Sequence, residues 1–478
     1  MDQRGRIKLG FAPTRRVLTT PKAFNKDEAR RIKDEIEEKL SAYEGLEIIN
    51  LNFLNEEGLL FDPNDALKAA KHFIDSGVDA VFVPHCNFGS EEAVCRLCQA
   101  VGKPVLLWGP RDDAPDAQGG RLRDTQCGLF ATGKVLRQFK VKFTYIQNCS
   151  MDSPVFYRGF ENFLRAACMA RYMTHLRIGQ LGTRPGIFWS VKANELELME
   201  RFGIEIVPIT MMDLDRMLRE HEGSAAVDAE ARSLMRRFSN ERFSESDFIK
   251  LARLKVTLRD WCAQEGLSAV SAQCWKPMDT VAGVAPCFVF SELTGEGLPV
   301  ICEGDIHGAV SSVMALAAAR FEARTFLADL TIRHPENDNA ELLWHCGVFP
   351  HCLARTQSEE PAMLGRHFNR QNPAVGCWEL KHGPITLVRF DGMSNDYSVL
   401  TAEGRGVEGP ETFGTYVWVE FKDWPALERK FVEGPYIHHC AAIHGRYAAA
   451  IYEGLKYLPG IKADPVEPTE AQLIEYLK

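Results

Sequence analysis

The stretch "DAVFVPHCNFGSEEAVCRLCQAVGKPVLLWG", residues 79–109, decides the architecture. "DAVFVPH" reads as a strand, "SEEAVCRLCQAVG" as a helix and "KPVLLWG" as a second strand. A strand, helix and strand in close succession favour a parallel crossover. The pattern extends upstream, with "IKLGFAP" and "LEIINLN" as strands and "KDEARRIKDEIEEKLSAY" and "PNDALKAAKHFIDSG" as amphipathic helices. Such alternation predicts a parallel sheet covered by helices on both faces. Ligands of such sheets gather beyond the carboxyl ends of strands, here "APTRR", "PHCNFGSE" and "WGPRDD".

After the helix "FYRGFENFLRAACMARYMTH" the pattern restarts with "LRIGQLG", "NELELMERFG", "IEIVPIT" and "MMDLDRMLREHEG". A charged helical run then follows from Ala225 to Gly266. Beyond about Ala340 the texture becomes short, β-rich and turn-punctuated, as in "GTYVWVEFKDW", which predicts an antiparallel barrel or sandwich. The expected fold class is therefore α/β: two doubly wound parallel-sheet domains at 1–174 and 175–340, then a β-rich domain at 341–478. A chain of 478 residues is long enough for several cores.

Composition narrows the partners. Lys plus Arg number 56 against 65 Asp plus Glu, so no basic field exists to gather nucleic acid or an anionic membrane. The N-terminus "MDQRGRIKLGFAPTRR" carries charges where a signal peptide needs an apolar run, and no segment offers a membrane-spanning apolar stretch. The expected address is the cytosol, and the expected partner a small molecule. The 14 cysteines are scattered, as buried thiols of a reducing compartment would be. The single CxxC, Cys95 and Cys98, lies in a helical pattern with no second pair. In "GTRPG", Arg184 reads first as part of a structural turn and second as an anion contact.

Two clusters break the rules of ordinary packing. In "GLPVICEGDIHGAVSSVMALAAARF", Gly297 to Phe321, the residues Glu303, Asp305 and His307 interrupt an apolar segment at spacing two. Read as an extended chain, the three share one face. Buried carboxylates need a cation or a shared proton, so a divalent metal is one explanation. Capping of the following helix by Asp305 is the other. The second cluster is "GPYIHHCAAIHG", where alternation sends one of His438 and His439 toward a site and the other away. His345 and His351 in "LLWHCGVFPHC" read as packing residues.

These segments resemble the L-fucose isomerase and L-arabinose isomerase superfamily. "VICEGDIHGAVSSVMALAA" followed by "RTFLADL" is similar to its E-x-D-x-x-G-A segment, and "VPHCNFGSEEA", "LRIGQLGTRPGIF" and "GPYIHHCAAIHG" follow the family's order from about Lys8 to Gly445. The resemblance implies a metal-dependent aldose–ketose isomerase, an intramolecular oxidoreductase working through a cis-enediol on a pentose, hexose or modified sugar. It implies a divalent ion, Mn²⁺ first with Mg²⁺ or Co²⁺ as alternatives, and a homo-oligomer, with a hexamer favoured, whose sites are shared between subunits. By motif, Asp305 and His439 are its metal ligands, with His438 as the alternative histidine.

The family's further glutamate ligand has no counterpart at Pro286, Cys287 and Phe288. Glu303 or Glu292 then takes that role or acts as the base, or Cys287 replaces it. The arginine of the first strand end is displaced as well, leaving Arg15 or Arg16. Asn87, Ser90, Trp275 and Tyr436 complete the expected sugar contacts. A metal-dependent hydrolase or lyase on a modified sugar, and a non-catalytic sugar-binding protein, are the rival expectations.

Overall fold

The computed structural model describes residues 2–239, 241–356, 361–367 and 372–477. The chain divides into two compact units: Met1–Arg171 with Ala449–Pro459 and Ala471–Lys478, and Tyr172–Ala448 with Gly460–Glu470.

The first unit carries five parallel strands, β1 (Ile7–Phe11), β2 (Leu46–Ile49), β3 (Ala80–Pro84), β4 (Val105–Trp108) and β5 (Phe143–Tyr145), in the order β2-β1-β3-β4-β5. Between them run α1 (Lys26–Ser41), α2 (Ala66–Asp75), α3 (Glu91–Val101) and α4 (Thr125–Gln138), and α5 (Pro154–Met173) follows. Every residue of β3 and β4 is buried, as strands covered on both faces must be. Asn25 starts α1 by accepting the Glu28 N–H, and Gly102 ends α3 at φ +64°. The strand order reverses between β1 and β3, which opens a crevice at their carboxyl ends.

The second unit contains a four-stranded parallel sheet and a barrel. Its parallel strands are β6 (Arg177–Leu181), β7 (Glu205–Ile209), β9 (Ala269–Ala272) and β10 (Val300–Ile301), ordered β10-β9-β6-β7, with β8 (Phe238–Ser239) outside that sheet. Helices α6 (Glu195–Phe202), α7 (Met211–Glu220), α8 (Ala225–Arg237), α9 (Glu245–Glu265), α10 (Lys276–Ala282), α11 (Cys287–Gly295) and α12 (Ile306–Ala318) accompany it. The charged run Ala225–Gly266 is therefore two helices, and Ser244 with Asp247 starts the second through a reciprocal capping box.

The β-rich part begins with β11 (Thr325–His334) and β12 (Asn337–His345). Four short strands follow, β13 (Ala362–Met363), β14 (Gly365–Arg366), β15 (Pro373–Val375) and β16 (Trp378–Glu379). The long ones are β17 (Pro384–Met393), β18 (Asp396–Val407), β19 (Thr415–Phe421), β20 (His439–His444) and β21 (Ile461–Glu467). Antiparallel pairing runs β19-β12-β11-β20-β17-β18, and β18 pairs back to β19, so six strands close a barrel while β16 and β21 attach in parallel. Closure removes the exposed edges. This is the α/β architecture with a β-rich carboxyl part that the sequence predicts.

All thirteen residues of α12 are buried. A helix apolar on every side must be enclosed. It packs on β9 and β10 on one side and on β11, β17 and β20 of the barrel on the other. Among the described residues, no helix is long and apolar enough to cross a membrane.

Candidate metal and active site

The strand leading to Glu303 ends early. β10 stops at Ile301, Cys302–Gly304 form a 3-10 turn, and Glu303 itself is left-handed at φ +67°. The spacing-two reading of Glu303, Asp305 and His307 as one extended face is thus corrected: they sit in a turn, at a helix cap and inside a helix. Gly304 is required here, because a Cβ on it would stand 2.7 Å from the Arg184 Cα. Arg184 donates to the carbonyls of Pro185, Gly186 and Phe188, so "GTRPG" is the structural turn.

Asp305 caps α12 by accepting the Gly308 N–H at 2.9 Å. It does more than cap. The Arg389 guanidinium of β17 donates to both carboxylate oxygens, and His439 Nδ1 lies 3.0 Å from Oδ2. Asp305 and Arg389 are both wholly buried. Burial would raise the Asp305 carboxyl, but the Arg389 charge and the His439 bond outweigh it and hold the group well below the usual carboxylate range. On its other side Arg389 donates to Asp391 Oδ2 at 2.6 and 2.8 Å, and His307 Nδ1 lies 2.9 Å from Asp391 Oδ1. A continuous charge-assisted chain therefore runs His307, Asp391, Arg389, Asp305, His439.

The far side of the His439 ring is different. Its Nε2 lies 3.4 Å from Glu303 Oε2 and 3.4 Å from Asp329 Oδ1. Nε2 and Asp329 Oδ1 are both buried without a hydrogen-bond partner among the described residues. Buried polar atoms are rarely left so, and a cation between these two could satisfy both. Asp329 arrives by register: it pairs directly with His439 across β11 and β20. The exposed His438 completes a group with Asp329 and His439 whose ligand atoms lie within 4.8 Å of one another. Burial lowers the His439 ring, yet the carboxylates of Asp305, Glu303 and Asp329 outweigh burial and push it up to about 9. Glu303 is held below its usual range, because His439 and His345 outweigh the upward push of burial.

His345, read from sequence as packing, belongs to this electrostatic neighbourhood. Burial lowers its ring, but the charges of Asp329, Cys346 and Glu303 raise it well above the ordinary histidine range. Its Nδ1 lies 2.9 Å from the Cys346 backbone nitrogen and 3.2 Å from the Cys346 sulfur, and its Nε2 is buried without a hydrogen-bond partner among the described residues. His351 does pack, edge-on to Phe238 and Trp378.

Glu292 does not reach this cluster. It sits in α11 with its carboxylate between Arg237 and Lys255, the latter at 2.9 Å, and these cations outweigh burial to keep it ionised. The expectation of Glu292 as base or ligand fails on that geometry. Tyr436 is also consumed, its hydroxyl bonded to Ser398 at 2.6 Å and Asp464 at 2.9 Å. Trp275 is half-buried at the start of α10, edge-on to Phe188 with ring centroids 5.4 Å apart.

In the first unit, the crevice between β1 and β3 gathers the residues expected there. Asn87 is buried and accepts the N–H groups of Arg16 at 2.8 Å and Phe88 at 2.6 Å, while the Ser90 N–H donates to Thr14 Oγ1 at 3.0 Å. Arg15 is spent on Glu57, at 2.6 and 2.9 Å, and on the Phe61 ring. Arg16 is half-buried over the Phe88 ring at 4.3 Å and is the arginine of the pair with the looser hold. The Asn87 side chain and the Ser90 N–H are thus engaged in shaping the loop.

Residues 17–174 match the family model of the fucose/sulfoquinovose isomerase N-terminal domain. A sulfoquinovose isomerase of Alkalicoccus urumqiensis is 26% identical over 446 residues, covering 90% of this chain and 94% of that protein. A sulfoquinovose isomerase of Priestia aryabhattai is 26% identical over 357 residues, covering 73% and 77%. Among solved structures, a periplasmic solute-binding protein of Actinobacillus succinogenes 130z with bound D-allose aligns at a TM-score of 0.16 and 13% identity, covering 66% of this chain and 89% of that one, too weak a likeness to bear on fold or function. The class these matches define is an isomerase enzyme. Over these spans the chain is similar to fucose isomerase-like proteins.

Proposed function

We propose that this protein is a cytosolic, metal-dependent aldose–ketose isomerase whose substrate is an anionically modified hexose of the sulfoquinovose type. The observation that carries the metal is the pair of unpartnered atoms, His439 Nε2 and Asp329 Oδ1, facing each other beside Glu303. Two carboxylates and an imidazole form a donor set for a hard to borderline divalent ion, Mn²⁺ before Mg²⁺ or Co²⁺. Glu303, Asp329 and His439 would hold it. The ion, when bound, supplies positive charge where negative charge develops on adjacent sugar oxygens.

The chain's own residues do the rest. Aldose–ketose interconversion moves a proton between C1 and C2 through a cis-enediol, which requires a base that takes the proton from one carbon and returns it to the next. Glu303, whose side chain is 15% exposed beside His439 Nε2, is assigned that part. Asp305 is reassigned from ligand to positioning residue: it grips His439 Nδ1 and so aims Nε2. The sulfonate-bearing substrate rests on the names of the relatives and on nothing in the site itself. As in the family resemblance, the working form is a homo-oligomer with shared sites, which light scattering on the purified protein would count.

Three results test this reading. Chelation should abolish ketose formation from sulfoquinovose and Mn²⁺ should restore it, with solvent deuterium entering C2 of the recovered aldose; turnover that survives chelation would remove the metal. Asp305→Asn should weaken Mn²⁺ binding by about 10- to 100-fold, the usual cost of losing an orienting partner, as read by calorimetry; unchanged affinity would free His439 from it. Because the metal-free His439 ring is protonated below about 9, each ion bound at neutral pH should release about one proton, and affinity should rise about tenfold per pH unit up to that value. Calorimetry in buffers of unlike ionisation enthalpy counts that proton. No release would take His439 out of the ligand set.

A further inference from the structure

A second set of donors converges in the same unit, away from hard-ion chemistry. Cys287 is the first residue of α11, Cys346 follows β12 directly, and His367 follows β14 directly. One donor atom from each lies within 4.8 Å of the others, and the residues are 0%, 9% and 8% exposed. The Cys287 and Cys346 sulfurs are 3.6 Å apart, far beyond a disulfide bond of about 2.05 Å. Tetrahedral zinc with bonds to sulfur of about 2.3 Å sets two thiolates roughly 3.8 Å apart, which this pair nearly meets. Two thiols in plain contact stand at a similar distance. The imidazole favours the ion, since a His367 nitrogen from a third segment lies within 4.8 Å of both sulfurs and completes a soft donor set.

We propose that Cys287, Cys346 and His367 bind a structural ion of the zinc class, separate from the site at His439. Cys302 also interacts with the Cys346 sulfur and is 1% exposed, so it would supply a third thiolate, and with it a fourth ligand, for a closed site of three cysteines and one histidine. Thiolates select zinc over manganese, so the two sites would sort metals by donor type. Cys302 precedes Glu303 and Cys346 follows His345, so the ion would brace both sides of the candidate active site while touching neither acid.

The test uses the full-length protein, freed of metal under reducing conditions and refilled with Co²⁺ alone. One equivalent should give a sulfur-to-cobalt charge-transfer absorption in the near ultraviolet. Zn²⁺ should displace it, Asp329→Asn should keep it, and Cys346→Ser should lose it. Should the serine variant fail to fold, X-ray absorption at the zinc edge of the unsubstituted zinc-loaded protein reads the same claim and should show at least two sulfur neighbours. A cobalt protein without that absorption, zinc held by nitrogen and oxygen alone, or an intact mass two hydrogens low from a Cys287–Cys346 disulfide would each overturn the proposal. None of these readouts depends on the isomerase reading, so either can fail alone.

Discussion

Arg389→Met should lower the unfolding free energy of the second unit by about 3–5 kcal/mol, the range for removing one partner of a buried ion pair. Arg389 is wholly buried between Asp305 and Asp391, and methionine fills its volume without its charge. Two carboxylates would then remain in the core, with only histidines and backbone N–H groups near them. The sign of the pH dependence follows. In the unsubstituted protein both carboxyls are held below their ordinary values, so their contribution is present above the unfolded-state range near 4 and is lost as pH falls. In the variant the Arg389 charge no longer offsets burial, so both carboxyls rise, take up protons more readily as pH falls, and the penalty shrinks. The stability gap, measured by denaturant unfolding with chelator present, should therefore narrow from pH 7 to pH 5. A gap that stays constant would mean that Arg389 acts through packing and not through charge.

Asp329→Asn should reduce kcat/KM on the order of a thousandfold while the fold survives. The change removes one charge from a group that makes no hydrogen bond through Oδ1, so little native structure depends on it. What it removes is one of two oxygens facing His439 Nε2, and loss of a preorganised group at developing charge costs about a hundred- to a thousandfold. Stoichiometric Mn²⁺ binding should disappear with the activity. Asp305→Asn should instead weaken binding and leave measurable turnover at saturating metal. If Asp305→Asn were the more damaging of the two to metal binding, the ligand and the positioning residue would have to exchange roles.

Much of this molecule can be read from one sequence, and the failures share a cause. The alternation around residues 79–109 is a local pattern and yields the parallel sheets. The turn-rich texture after Ala340 announces the barrel, although the barrel starts earlier, at Thr325. The pairing of Asp305 with His439 follows from two quoted motifs, and the structure places them 3.0 Å apart. Asp329 was missed although it stands as the lone acid in "RTFLADL". Its importance comes from facing His439 across two barrel strands more than a hundred residues apart, and register between distant strands is invisible in local periodicity. Arg389 and Asp391 left a clearer trace, since two charges at spacing two in the apolar strand "ITLVRFDGM" must share a face and need partners. Glu292 misled for another reason: it stands close in sequence to the place of the family's further glutamate, and only the fold shows Lys255 and Arg237 answering it.

On the reading proposed above, one ion sits between Glu303, Asp329 and His439. Anomalous diffraction at the manganese edge from crystals of the Mn²⁺-loaded protein tests it directly. A single strong peak is expected about 2.0–2.2 Å from His439 Nε2 and from an oxygen of each of Glu303 and Asp329, with Asp305 still bonded to Nδ1. A peak elsewhere, or one coordinated by Asp305 with Asp329 turned away, would contradict it.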